Sequence, residues 1–125
     1  EGSLPLDENA ASCVNMLAEV LLDLRQWQRV REVIADFTMG ATTDDLAWRF
    51  PDVLCKDMQA AAALGQKESV YQMHLASVEW AGRELVDLIL AKADALEAVG
   101  LRAEATETLQ KCLAPLLELQ DKERG

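Results

Sequence analysis

Few side chains in this chain are of types that make or break bonds, and their spacing argues against it. His74 is the single histidine. No Asp, Cys or second His lies at ligand spacing on its helical face, so it reads as a partly buried, satisfied histidine rather than a metal ligand or base. Glu19 and Asp23 are four apart, which puts two carboxylates on one helix face. Like charges at that spacing read as a solvated face, not as an acid–base pair. Cys13, Cys55 and Cys112 are odd in number, far apart and without a CxxC. That excludes a disulfide framework or a zinc site, and no histidine partner is inferable for any of them as a nucleophile. A Gly-rich phosphate cradle, HExxH and GxSxG are all missing from the sequence. The chain therefore reads as no enzyme, with no metal and no cofactor.

Composition turns the question from chemistry to binding. The formal net charge is −10 over 125 residues, and a surface of that sign repels a phosphate backbone or an anionic membrane. No apolar run is long enough for a membrane span, and no signal peptide is visible. With three unpaired cysteines this points to a reducing compartment, cytoplasm or nucleus. The chain opens with Glu1 rather than Met, and Gly2-Ser3 reads as a cloning remnant, which would make the chain a piece of a longer protein.

Half the residues are hydrophobic but only 5% aromatic, with six Gly and three Pro. An Ala- and Leu-rich chain of this kind favours helices, because these side chains lose little freedom there. The expected fold is all-α. Asp7 caps a helix over 8–24, with Cys13, Val14, Leu17, Leu21 and Leu24 at helical spacing. A second helix covers 27–37. The loop "TMGATTDD" follows, with a short turn of helix to Trp48 capped by Thr43. Pro51 opens a helix to Leu64, ended by Gly65. Further helices cover 67–80, 83–99 and 102–119. Breaks are expected near Arg25, Gly65, Gly82 and Gly100, and Pro115 is expected to kink or tighten the last helix. Residues 1–7 read as an extension, 8–120 as one domain and 121–125 as a frayed tail.

The bends "RQWQRV", "GQKESV" and "GLRAEA" are alike, and aligning Val30, Val70 and Ala105 gives offsets of 40 and then 35 residues. Periods of this size in paired helices mark a helical solenoid. The third unit carries Ile89, Lys92-Ala93, Leu96, Ala105 and Leu109. The first carries Val14, Leu17-Ala18, Leu21, Val30 and Ile34, and the second Leu54, Asp57-Met58, Ala61, Val70 and His74. On these positions the chain resembles the tetratricopeptide repeat family. Lys92 and Asp57 stand where that family has Leu, and its unit-closing Pro is missing.

The resemblance implies three antiparallel helix hairpins (8–42, 51–81 and 83–119) stacked as a short right-handed solenoid. It implies a protein-interaction module of adaptor, scaffold or chaperone type. The first helices of the hairpins would line a concave groove, with Asn15, Glu19, Asp23, Asp52, Gln59, Asp87, Asp94 and Glu97 in or near it. Better-known members of the family hold acidic tails with Lys, Arg and Asn at such places. Asn15 fits that pattern and Glu19 and Asp94 do not, so the expected partner is a basic or amphipathic peptide or helix of another protein. Trp48 and Phe50 sit in the irregular connection, either as a lid on the core or as an exposed anchor for a partner. The last helix carries Leu109, Leu113, Leu116, Leu117 and Leu119, an apolar surface expected to dock a partner or a second copy through Leu116 and Leu119. The alternative to a groove-binding module is a structural helical-bundle subunit of an obligate oligomer.

Overall fold

A computed structural model describes residues 7–39, 41–80 and 83–124, with side chains as far as Glu118 in the last helix. The regular structure of the described residues is all helical, with no strand among them. In chain order they form α1 (Glu8–Asp23), α2 (Trp27–Phe37), α3 (Thr43–Arg49), α4 (Pro51–Ala63), α5 (Lys67–Ala76), a 3₁₀ turn (Arg83–Leu85), α6 (Val86–Ala98) and α7 (Arg102–Arg124).

Three bends set the layout, and they share one hydrogen-bond pattern. Arg25, Gly65 and Gly100 have φ of 60°, 73° and 87°. At each, the left-handed residue donates its N–H to the carbonyl three back, and the next residue donates to the carbonyl five back. The pairs are Arg25 to Leu22 with Gln26 to Leu21, Gly65 to Ala62 with Gln66 to Ala61, and Gly100 to Glu97 with Leu101 to Leu96, all at 2.8–3.0 Å. This closing satisfies the last carbonyls of a helix while turning the chain back. The hinges stand 40 and 35 residues apart, the same offsets as the side-chain alignment. Arg25 adopts a conformation that costs a non-glycine residue about 1–2 kcal/mol. The Gly82 break lies outside the described residues.

Other boundaries move for local reasons. Thr42, not Thr43, caps α3: its Oγ1 accepts from Asp45 N at 3.0 Å while Asp45 Oδ2 accepts from Thr42 N. A reciprocal cap needs its acidic partner three residues on, and only Thr42 has one. α5 stops at Ala76, four residues before the expected Trp80. Ser77 Oγ donates to the carbonyls of Met73 and His74, and Ser77 O is itself taken by Lys92. At the other end, α7 runs through Pro115 and on to Arg124, where the sequence predicts a frayed tail.

Packing follows the pairs: α1 lies on α2, α4 on α5, and α6 on α7. α4 also packs against α1, α2, α3 and α6, and α6 against α5. Small residues fill the closest approaches, with Ala18, Ala60, Ala61, Ala93, Ala95 and Ala105 all buried beside Leu54, Met58, Leu96, Val30 and Val70. The ends differ from the middle at matching positions. Leu17 is exposed, whereas Asp57 is half-buried and Lys92 buried; Leu109 is exposed, whereas Ile34 and His74 are buried.

Candidate functional site

A cleft of about 690 Å³ gathers several of the sequence-derived residues between α1, α4 and α6, with Trp27 of α2 and Arg102 of α7 at its edges. Its floor is low because α4 and α6 turn alanines to it: Ala62 and Ala63 from one, Ala91, Ala95 and Ala98 from the other. Alanine at i, i+4 and i+7 of α6 keeps that whole helix face short. Leu22 and the half-buried Trp27 add apolar surface where α1 turns into α2.

The walls are charged. Asp23 comes from the last turn of α1, and Asp94 and Glu97 from adjacent turns of α6. All three are exposed, and among the described residues the ion pairs are Arg29–Glu32 and Arg31–Asp57, which use none of them. Arg102, at the start of α7, is the cleft's single cation among the described residues. Gln59 completes the lining from α4.

Of the groove residues expected from sequence, Asp23, Gln59, Asp94 and Glu97 converge here. Asn15, Phe50 and Asp52 line a second cleft of about 300 Å³ together with Arg49 and Glu8. Asn15 Oδ1 is buried there without a hydrogen-bond partner. Glu19 and Asp87 are exposed and line neither cleft. Trp48 is 82% exposed, so it is no lid on the core. Phe50 does fold back, its ring edge-on to Phe37 at 5.8 Å. Leu116 is half-buried, Leu113 and Leu117 are exposed, and the Leu119 side chain lies outside the described residues. Trp27, Leu22 and Arg102 were not foreseen as cleft residues. Their signal was the hinge itself, since residues flanking a tight helix pair share its open side.

The interior holds polar groups of a different kind. Arg31 Nε approaches Asp57 Oδ1 at 2.8 Å, a charge contact without an aligned hydrogen bond. Burial nonetheless pushes the Asp57 carboxyl up to about 6, Arg31 opposing. Lys92, 2% exposed, donates to Ser77 O at 2.9 Å and Ser77 Oγ at 3.2 Å, and its ammonium lies 5.6 Å from the Trp80 ring centre. Burial pulls it down to about 8, with Lys111 adding to the shift. His74 is also lowered by burial. The Cys55 thiol, buried and facing Leu88 O at 3.7 Å, is pushed up to about 11, which leaves it protonated and inert near neutrality.

Among the described residues no three His, Cys, Asp or Glu side chains cluster as a metal site, and no helix is long and apolar enough to cross a membrane. Comparison of the chain with protein-family models, with curated proteins and with solved structures gives no match.

Proposed function

We propose that the chain is a non-catalytic protein-interaction module, a tetratricopeptide-like stack of three hairpins that holds a basic or amphipathic helical segment of a partner protein. The observation that carries this is the cleft across α1, α4 and α6: an alanine floor between Asp23 on one wall and Asp94 and Glu97 on the other. Short floor residues admit a close-lying helix, since interaxial distance is set by the side chains at the contact. Unpaired carboxylates on both sides select a positively charged one and repel an acidic one. The packing of α4 on both helices of the first hairpin, and of α6 on α4 and α5, supports the stacked reading. An adaptor or scaffold role in the cytoplasm or nucleus accords with three cysteines that are all unpaired.

The test is a fluorescently labelled helical peptide with Lys on one face and Ala/Leu on the other, set against its Glu counterpart. The Lys peptide is expected to bind and the Glu peptide not to. Changing Asp23, Asp94 and Glu97 together to Lys is expected to weaken binding on the order of 100-fold, at about 1 kcal/mol per exposed charge. Equal binding of both peptides, or of parent and triple variant, overturns the reading.

A second reading, a subunit of an obligate oligomer, is favoured by apolar faces at both ends. Met16, Leu17 and Val20 on α1 and Leu24 at its C-cap are exposed, as are Leu109, Leu113 and Leu117 on α7. Sedimentation separates the two: a monomer at micromolar concentration supports the groove module, and a persistent oligomer supports the subunit.

A further inference from the structure

The two inner joints between hairpins show what covers a hairpin face, and the outer faces of the first and last hairpins repeat the same register without that cover. α4 packs on α1 and α2, and α6 on α4 and α5. At the first joint Asp57 of α4 meets Arg31 of α2 at 2.8 Å. At the second, Lys92 of α6 donates to Ser77 O and lines a small cavity with His74 and Val78. With the repeat offsets of 40 and 35, Asp57 and Lys92 correspond to Leu17 of α1, and Ala60 and Ala95 to Val20. Ala60, Lys92 and Ala95 are buried and Asp57 is half-buried, whereas Leu17 and Val20 are exposed. On the second helices, Ile34 and His74 correspond to Leu109, and Thr38 and Val78 to Leu113. Ile34 and His74 are buried and Thr38 and Val78 half-buried, whereas both leucines are exposed. α1 thus presents the face that inside the chain takes a preceding hairpin, and α7 the face that takes a following one.

Residue types say which first helix fits the α7 face. The polar residue at each inner joint finds a polar partner, Arg31 for Asp57 and Ser77 for Lys92. In the same register the counterparts of Arg31 and Ser77 on α7 are Thr106 and Cys112. Thr106 carries no charge and a thiol is a weak acceptor, so an Asp or Lys brought there loses water without gaining its match. Of the three first helices of this chain, α1 alone has an apolar residue at the joint position, Leu17. Leu17 and Val20 against Leu109 and Leu113 make an apolar joint with no polar group to satisfy.

We propose that the α7 face of one copy takes the α1 face of a second copy, so that the row of hairpins continues from chain to chain. This rests on the stacked-hairpin reading above and extends it. An added copy sets its α1 beside α6 as α6 lies beside α4, which lengthens the row of first helices that lines the cleft. The contact joins two different surfaces, so each added copy leaves one of each free, and assembly passes the dimer into rings or open chains. The net charge of −10 on every copy opposes the contact. Association is therefore weak and reversible, and salt strengthens it by screening.

The test is sedimentation velocity of the whole chain from micromolar to near-millimolar concentration, in low and in high salt. The parent is expected to be monomeric when dilute and to climb past the dimer on concentration, further in high salt. Val20→Glu and Leu113→Glu alter side chains that are 54% and 52% exposed, so the fold is kept. Each variant alone is expected to stay monomeric, its association weakened about 100-fold by a carboxylate buried without a partner. Mixed, the two are expected to form a one-to-one dimer and nothing larger, since one keeps an intact α7 face and the other an intact α1 face. Neither residue lines the cleft, so both variants are expected to bind the Lys peptide as the parent does. Loss of peptide binding with association intact would sink the groove alone. A parent that stays monomeric throughout gives these faces to hairpins of other proteins and overturns the proposal. It is equally overturned by a parent that stops at a dimer, by either variant associating like the parent, or by a mixture that stays monomeric.

Discussion

Lys92 offers the most quantitative test of the interior as described. The perturbation is Lys92→Met, and the quantity is the pH dependence of the stability difference between parent and variant. Burial moves the ammonium from its ordinary 10.5 down to about 8. A gap of about 2.5 units, at 1.36 kcal/mol per unit, amounts to on the order of 3 kcal/mol. The sign follows from proton counts. Between pH 8 and 10.5 the unfolded chain holds a proton that the folded chain has shed, so stability rises with pH across that window. Below pH 8 both states are protonated and the folded state carries the full cost. Cys55 works in the opposite sense, since its folded value of about 11 lies above its ordinary 9.0. Its contribution makes stability fall between pH 9 and 11, which is why the difference is measured rather than the parent curve alone. The assay is urea unfolding in half-unit steps from pH 7.5 to 10.5. The parent is expected to gain on the variant by about 3 kcal/mol over that range. Parallel curves would refute the placement of a charged Lys92 in the core.

Asp57 is the mirror case. Its carboxyl rises from 3.8 to about 6, so the folded state holds a proton between those values that the unfolded state has lost. The parent should therefore lose on the order of 3 kcal/mol relative to Asp57→Asn as pH rises from 4 to 6, read by urea unfolding at each pH. Separately, Ala93→Leu and Ala105→Leu enlarge buried positions where helices approach closely. Each is expected to cost about 1–3 kcal/mol by overpacking, checked by the midpoint of chemical unfolding.

The hinges at Gly65 and Gly100 were legible because glycine is the residue that takes a left-handed turn without strain. Arg25 was legible only through the alignment of bends, since nothing in an arginine announces positive φ. The early end of α5 was hidden. Ser77 stops the helix because its hydroxyl turns back on Met73 and His74 and its carbonyl is claimed by Lys92, fifteen residues away. Composition cannot report a bond between helices. Lys92 and Asp57 stood out as departures at positions where leucine is usual, but their burial and their partners, Ser77 and Arg31, depended on how hairpins stack. In the cleft, the carboxylates that met were those near the C-terminal ends of α1 and α6. Glu19, one turn earlier on α1, faces elsewhere, as does Asp87 at the opposite end of α6. Helical spacing places residues on a face, and only the packing of α4 decides how far along that face the cleft extends.

The place of α4 in the packing also bears on how the molecule comes apart. α1 and α7 lie at the two ends of the packed series, each with an exposed apolar face, while α4 is braced by α1, α2, α3, α5 and α6. A helix held on five sides loses only part of its cover when one terminal helix opens. Fraying is therefore expected to begin at α1 and α7, with the amides of α4 the slowest to exchange with solvent. Each hairpin closes over a bend of a few residues, so its contacts are short in sequence and its formation is fast. α4 is thus expected to be the longest-lived part of the fold, so the cleft rests on a slow floor from α4 while its charged walls, on α1 and α6, open more readily.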